Sequence, residues 1–543
     1  MRKINGKSMA AAALAAAMLL TACGSQSAPS TTTAGTSAAG TTAGTTAGTT
    51  AEQTTAGTTA AGTGTITKDE IIVANSVDIK SMDPQNQSDV SSGMLINHIY
   101  NRLMRVHDDG TLDTDLAESY EMVDDTTYHF KLKEGVKFHD GTPMTAQDVK
   151  FTLERAKTMP STTSSASHIA EVTTDGDYDI TIKLTAPYPA ILYILGGMNM
   201  SIVSEKAVTE AGEDYGMNPI GTGPFKYEEW APNDHWTVVR NEDYFGDKPL
   251  ASKITCKVIP EASSRSIALE VGEADIALRI SETDAPNIEN NPDLTAYEEV
   301  GAAIEFIGMN CENEYFKDPR VRQAVNYALD KQSIVDTILE GRGEVANTYV
   351  GKTIPSWDES QTAYPYDPEK AKELLAEAGF PDGFDVSISI NGDVRNRTAQ
   401  IVQAQLGEIG INVDINSLEW GAYLDILQTG ECDMYILGWT NSAIDPDRSV
   451  STLFPSTQAG SLGNNYTFLK DTDLDDEISA AAVETDNDKR MEMYKTIQAH
   501  LKELAPWVPL YYQQMIGGTR ANLKGFTYDK NMNYYFGDCH YED

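Results

Sequence analysis

Hydrophobic positions recur along this chain with two periods. Tyr128, Phe130 and Leu132 alternate with His129, Lys131 and Lys133, the period of two that predicts a half-buried strand. The turn Asp140-Gly141-Thr142-Pro143 follows, and Thr145 with Asp148 forms a capping box ahead of Val149 and Leu153. Further on, Asp318-Pro319 supplies an N-cap and a first helical position, with Val321, Ala324, Val325 and Ala328 on one helical face. Asp367-Pro368 repeats that opening before Ala371, Leu374, Leu375 and Ala378, and Gly379 closes the helix.

The run that follows is the most informative. Phe384 to Ile390 alternates as a strand. Ala399, Val402, Leu406 and Ile409 form a helical stripe ended by Gly410, and Ile411, Val413 and Ile415 alternate again. Tyr423 to Leu427 reads as a helix and Met434 to Leu437 as a buried strand. Strand, helix, strand, helix, strand predicts a parallel sheet. Ligands of open α/β sheets bind beyond the carboxyl ends of the strands. Gly438-Trp439-Thr440 stands at that end, and Trp420 starts the helix before the last strand. Indoles give large apolar area with few rotamers, which suits a pocket accepting varied side chains. Spacing alone equally allows both indoles a place in a core.

The N-terminus differs from all of this. Arg2, Lys3 and Lys7 precede an apolar run, Ala10 to Leu20, too short to span a bilayer. Leu20-Thr21-Ala22-Cys23 then resembles a bacterial lipobox, which predicts cleavage before Cys23 and lipidation of that cysteine. Gly24 to Thr65 is almost wholly Thr, Ala, Gly and Ser, with one charge at Glu52. Nothing in it offsets the entropy of ordering a backbone, so it predicts a disordered tether spanning about 36 Å. A tether suits a thick cell wall, which favours a Gram-positive surface over a periplasm.

Length and charge narrow the function. A chain of 543 residues is too long for one compact core, so two or more lobes are expected. The formal charge of −40 repels phosphate backbones and excludes nucleic acid as a partner. Cys256, Cys311, Cys432 and Cys539 lie far apart with no CxxC pair, so neither zinc nor thioredoxin-like chemistry is indicated. The chain lacks GxSxG, HExxH, a phosphate loop and GxGxxG after a strand, and its eight histidines are scattered. We therefore expect a binder, with no catalytic residue, cofactor or metal, and a monomer.

The ordered motifs of the body carry a family likeness. They run from Met82-Asp83-Pro84-Gln85 through Leu116-Ala117-Glu118-Ser119-Tyr120 and the Phe130 to Asp148 stretch. Ile220-Gly221-Thr222-Gly223-Pro224-Phe225, Asp318-Pro319-Arg320-Val321-Arg322 and Pro506-Trp507-Val508-Pro509-Leu510 continue them. The chain resembles the bacterial extracellular solute-binding proteins of the oligopeptide- and dipeptide-binding family, receptors of ABC importers. The resemblance implies an α/β fold of the large periplasmic-binding-protein type II class. Lobe I would hold 66–310 and 506–543, with an extra subdomain at about 105–217, and lobe II would hold 311–505. The two are joined by a hinge crossed twice, and they close on a ligand held between them.

Carried over residue by residue, the resemblance places Trp420 and Trp439 in the pocket wall, with Thr440 and Asn441 beside them. Asn86 and Ser88 fall in the segment of a first-lobe ligand loop. Ser442 stands where many members carry an aspartate that binds the peptide's free amine, and a neutral hydroxyl cannot replace that charge-assisted bond. Asp445 or Asp447 could reach the amine instead, although Asp445-Pro446 also suits a turn. Arg395 and Arg397 could pair a ligand carboxylate. The expected ligand is a short peptide passed to permease subunits. A glutathione-like peptide, a nickel chelate, a sugar derivative and a peptide-sensing role remain as alternatives.

Overall fold

The computed structural model describes residues 68–541, except 88, 108–110, 442–444, 461–462 and 529–533. Cys23, the leader and the tether therefore lie outside the described residues, as do Ser88 and Ser442. Among the described residues, no helix is long and apolar enough to cross a membrane.

The local signals resolve into the elements they predict. Thr127–Leu132 is a strand whose Tyr128, Phe130 and Leu132 point into a core. The Asp148 carboxylate accepts the backbone N–H of Thr145 at 2.9 Å and starts the helix Ala146–Ala156. Asp318 and Asp367 each cap a helix with proline in its first turn, Pro319–Ala328 and Pro368–Glu377.

The molecule has two lobes. The four-stranded antiparallel sheet spanning Ala117 to Leu184 stands apart on its own core, from Leu103 to Ile202. The remaining large sheet has eleven strands. Its outer portion contains the parallel set foreseen from periodicity. Phe384–Ile390 pairs in parallel with both Ile411–Ser417 and Met434–Thr440, and the helices Asp393–Gly407 and Trp420–Thr429 connect them. Met434 and Ile436 enter the core on one face, Tyr435 and Leu437 the core on the other. Helices cover both faces, which explains why this strand reads as a continuous apolar run.

Two long strands, Leu294–Met309 and Trp507–Arg520, pair with each other and carry the chain between the lobes. Their register breaks between Val300 and Ile304, over Gly301, Ala302 and Ala303. Residues up to Val300 pair with Gln514 to Arg520, whereas Ala303 onward pairs with Met434–Thr440 in the second lobe. The crossing thus falls within these strands, near residues 301–303 and 513. The expected boundaries at 310 and 506 flank these strands, one residue after Met309 and one before Trp507.

A buried histidine ties the C-terminal tail to the first lobe. His98, fully buried on the helix Val90–Ile99, places Nδ1 2.8 Å from the Met94 carbonyl, and its Nε2 accepts the Phe536 N–H at 3.0 Å. That pattern requires the neutral ring, and burial lowers its pKa from 6.5 to about 4. Burial also lowers His139 to about 4. A depressed histidine pKa gives stability that is complete above pH 6.5 and is lost as pH falls toward 4. For His98 this amounts to about 3 kcal/mol. The melting temperature is expected to fall between pH 6.5 and 5, and His98→Gln to flatten that slope when both proteins are followed by circular dichroism. Equal slopes in the two would contradict the assignment.

Candidate functional site

Phe384–Ile390 and Ile411–Ser417 end together, Met434–Thr440 runs on past them, and the candidate site lies at these carboxyl ends. Trp439 is half-buried there and Thr440 is exposed. The Trp439 indole N–H donates to Asn441 Oδ1 at 3.2 Å. Trp420 is the first residue of its helix, 49% exposed, with its ring 5.8 Å from that of Tyr423. Such exposure leaves the ring free for another surface, since a core role would have buried it.

Asn441 is itself buried and anchors the strand end. Its Nδ2 donates to the Asp445 carbonyl at 3.2 Å, and its Oδ1 also accepts the Ser449 hydroxyl. Behind it, the two oxygens of Asp445 each accept a hydrogen bond of 2.7 Å from the Arg490 guanidinium, and both side chains are 1% exposed. Burial pushes the Asp445 carboxyl up while Arg490 pulls it down, and the guanidinium stays charged. Asp445 therefore serves the fold. Against the expectation that it meets a ligand amine, the structure buries this carboxylate behind Asn441, out of a solute's reach.

Asp447 is equally occupied. Its carboxylate accepts the Tyr494 hydroxyl at 2.8 Å, the Ser451 hydroxyl, and the Tyr188 hydroxyl at 2.7 Å. Tyr188 belongs to the subdomain core and stacks on His168 with centroids 3.6 Å apart. This buried bond joins the subdomain to the second lobe.

Arg395, in the first turn of the helix Asp393–Gly407, pairs with Glu305 on the first crossing strand, Nε to Oε1 at 2.5 Å. Arg397 is exposed. In the first lobe Asn86 is exposed on a loop held by Asp83, whose two oxygens accept from Arg155 at 2.9 and 2.6 Å. The sequence reading did not find Glu305, Arg490 or the Tyr188–Asp447 bond. Glu305 had a signal: it is a lone acid within Ala302-Ala303-Ile304-Glu305-Phe306-Ile307. Arg490 shares a helical face with the apolar Tyr494, Ile497 and Leu501, a pattern that marks a buried cation needing a partner.

The four cysteines other than Cys23 are free thiols, with Cys256, Cys432 and Cys539 buried. Among the described residues no group of three or more His, Cys, Asp or Glu could hold a metal ion.

Bacterial extracellular solute-binding proteins, family 5, match residues 111–461. The glutathione-binding protein GsiB of Salmonella typhi is 29% identical over 482 residues, which is 87% of this chain and 94% of that relative. Among solved structures, the periplasmic binding protein DppA of Helicobacter pylori in complex with the peptide STSA is 28% identical. It superposes with a TM-score of 0.75, covering 87% of this chain and 98% of that one. The oligopeptide-binding protein AppA of Bacillus subtilis, in complex with a nonapeptide, is 27% identical with a TM-score of 0.72, covering 87% and 99%.

Proposed function

Because the chain belongs to the bacterial extracellular solute-binding proteins of family 5, we propose that it captures short peptides outside the cell membrane, in the cleft between its lobes, and delivers them to the permease of an ABC importer. The observation that carries this reading is the pair of indoles, Trp439 and Trp420, beyond the carboxyl ends of the parallel strands. Exposed indole faces bind side chains by apolar area and tolerate changes in their identity. Relatives described with a tetrapeptide, a nonapeptide and glutathione all have ligands built on peptide bonds. A glutathione-like ligand is the second reading. It is favoured by the glutathione-binding relative and by the engagement of Asp445 and Asp447 with the protein's own side chains rather than with a peptide's amine.

Ligand contacts made by both lobes would favour the closed arrangement, since only contacts that differ between states shift their balance. Anchorage through a lipid on Cys23 is part of the proposal, with the Gly24 to Thr65 stretch as tether. Cys23→Ser is expected to release the protein from membranes into the soluble fraction; retention would remove the lipid from the account. Titration calorimetry with tripeptides to pentapeptides and glutathione tests the capture reading. At least one is expected to bind one-to-one and be recovered intact. Binding of none of them, or cleavage of those bound, would contradict it.

A further inference from the structure

One ion pair stands near the carboxyl ends of the parallel strands. Glu305 lies opposite Gly438 in the sheet, one position from the Ile304–Trp439 pair. Arg395 reaches it from the helix opposite, with Nη2 3.3 Å from Oε2 in addition to the Nε contact. The side chains keep 22% and 13% exposure for Arg395 and Glu305, so both remain in reach of a solute. A Cβ on Gly438 would collide with Glu305 Oε2 and crowd the Arg395 guanidinium. The glycine before Trp439 thus keeps room for the pair. Tyr423, one turn after Trp420, and Tyr511, on the second crossing strand, both feel the charges of Glu305 and Arg395. Tyr511 is the cross-strand neighbour of Glu305 on the same face of the sheet, and Trp439 leaves the other face one position away.

We propose that Glu305 and Arg395 recognise an α-amino-acid head group, in which one carbon carries both a free ammonium and a free carboxylate. Glu305 takes the ammonium and Arg395 the carboxylate. This inference rests on the solute-capture reading and names its ligand class. Spacing carries it. The two protein charges stand side by side, and an α-amino acid presents its own two charges about 3 Å apart, whereas the termini of an extended peptide are separated by about 3.3–3.6 Å for every residue. Charge balance agrees. A zwitterion exchanged into a neutral pair leaves no charge unpaired, while a lone ammonium or carboxylate would strand one partner. A ligand linked through a side-chain carboxyl fits, because its α-ammonium and α-carboxylate are both free. One linked through its α-carboxyl does not.

Two isomers of one dipeptide separate these cases. γ-Glutamyl-leucine and α-glutamyl-leucine contain the same atoms and differ in which carboxyl forms the amide. Calorimetry on the mature protein in detergent is expected to show the γ-isomer bound at least tenfold more tightly. Glu305→Gln and Arg395→Gln are each expected to weaken γ-isomer binding more than tenfold and remove the preference, with melting curves confirming the fold. Gly438→Ala, which crowds the pair without removing a charge, is expected to act in the same direction. Should either charge variant fail to fold, the isomer preference of the unaltered protein still decides. Equal or tighter binding of the α-isomer, a preference unchanged in both variants, or binding of neither isomer would overturn the proposal. If neither isomer binds but protein from cells carries another solute, the head-group inference falls alone. If it carries no solute at all, the capture reading falls with it.

Discussion

Trp439→Ala is expected to weaken ligand binding more than tenfold, at least 1.4 kcal/mol, while leaving the fold intact. The asymmetry follows from where the indole sits. Trp439 is half-buried, next to last in its strand, packs part of its ring against the edge of the core, and holds a polar contact to Asn441. The strand is fixed by Met434 to Leu437, which are buried on both faces, so truncating Trp439 leaves those contacts in place. Stacking area offered to a solute is lost outright. Trp420→Ala is expected to cost less, because its ring packs on Tyr423 at a helix start and retains freedom to move. Titration calorimetry beside circular dichroism checks the pair. Unchanged affinity in Trp439→Ala would remove that residue from the pocket wall.

The largest loss of stability is expected from Arg490→Ala. Arg490 and Asp445 are each 1% exposed, and the truncation strands a carboxylate with no cation. Breaking a buried pair from one side costs about 3–5 kcal/mol. Replacing both residues by leucine should recover part of that cost, since neither charge is then left alone. The consequences reach the site. The Asp445 carbonyl holds Asn441, and Asn441 receives the Trp439 indole, so a loosened Asp445 loosens the strand end as well. Denaturant unfolding of the single and double variants measures the effect. A cost in the single variant no greater than in the double would show that the pair does not act as a unit.

Much of the second lobe was legible because its signals are local. Period two, period 3.6, Asp-Pro openings and closing glycines each follow from neighbours in sequence, and they reappear as elements at those places, with ends shifted by up to three residues. Trp439 and Trp420 were legible because a strand's end is visible wherever its apolar run stops. The change of partners along the long strands was not, since they stay apolar through Gly301, Ala302 and Ala303 and nothing local records which partner each residue pairs with. Asp445 and Asp447 looked like free carboxylates near the site. Their partners Arg490, Tyr494 and Tyr188 lie 45, 47 and 259 positions away, and only the folded chain brings them together. Glu305 and Arg395 are separated by 90 positions, so each could be noticed alone while their pairing could not.

Native mass spectrometry of the protein, purified gently from cells grown on peptides, tests the central claim most directly. The account predicts an added mass on the folded chain that denaturation releases and fragmentation identifies as a compound built on peptide bonds. A single released compound containing no peptide bond would contradict it.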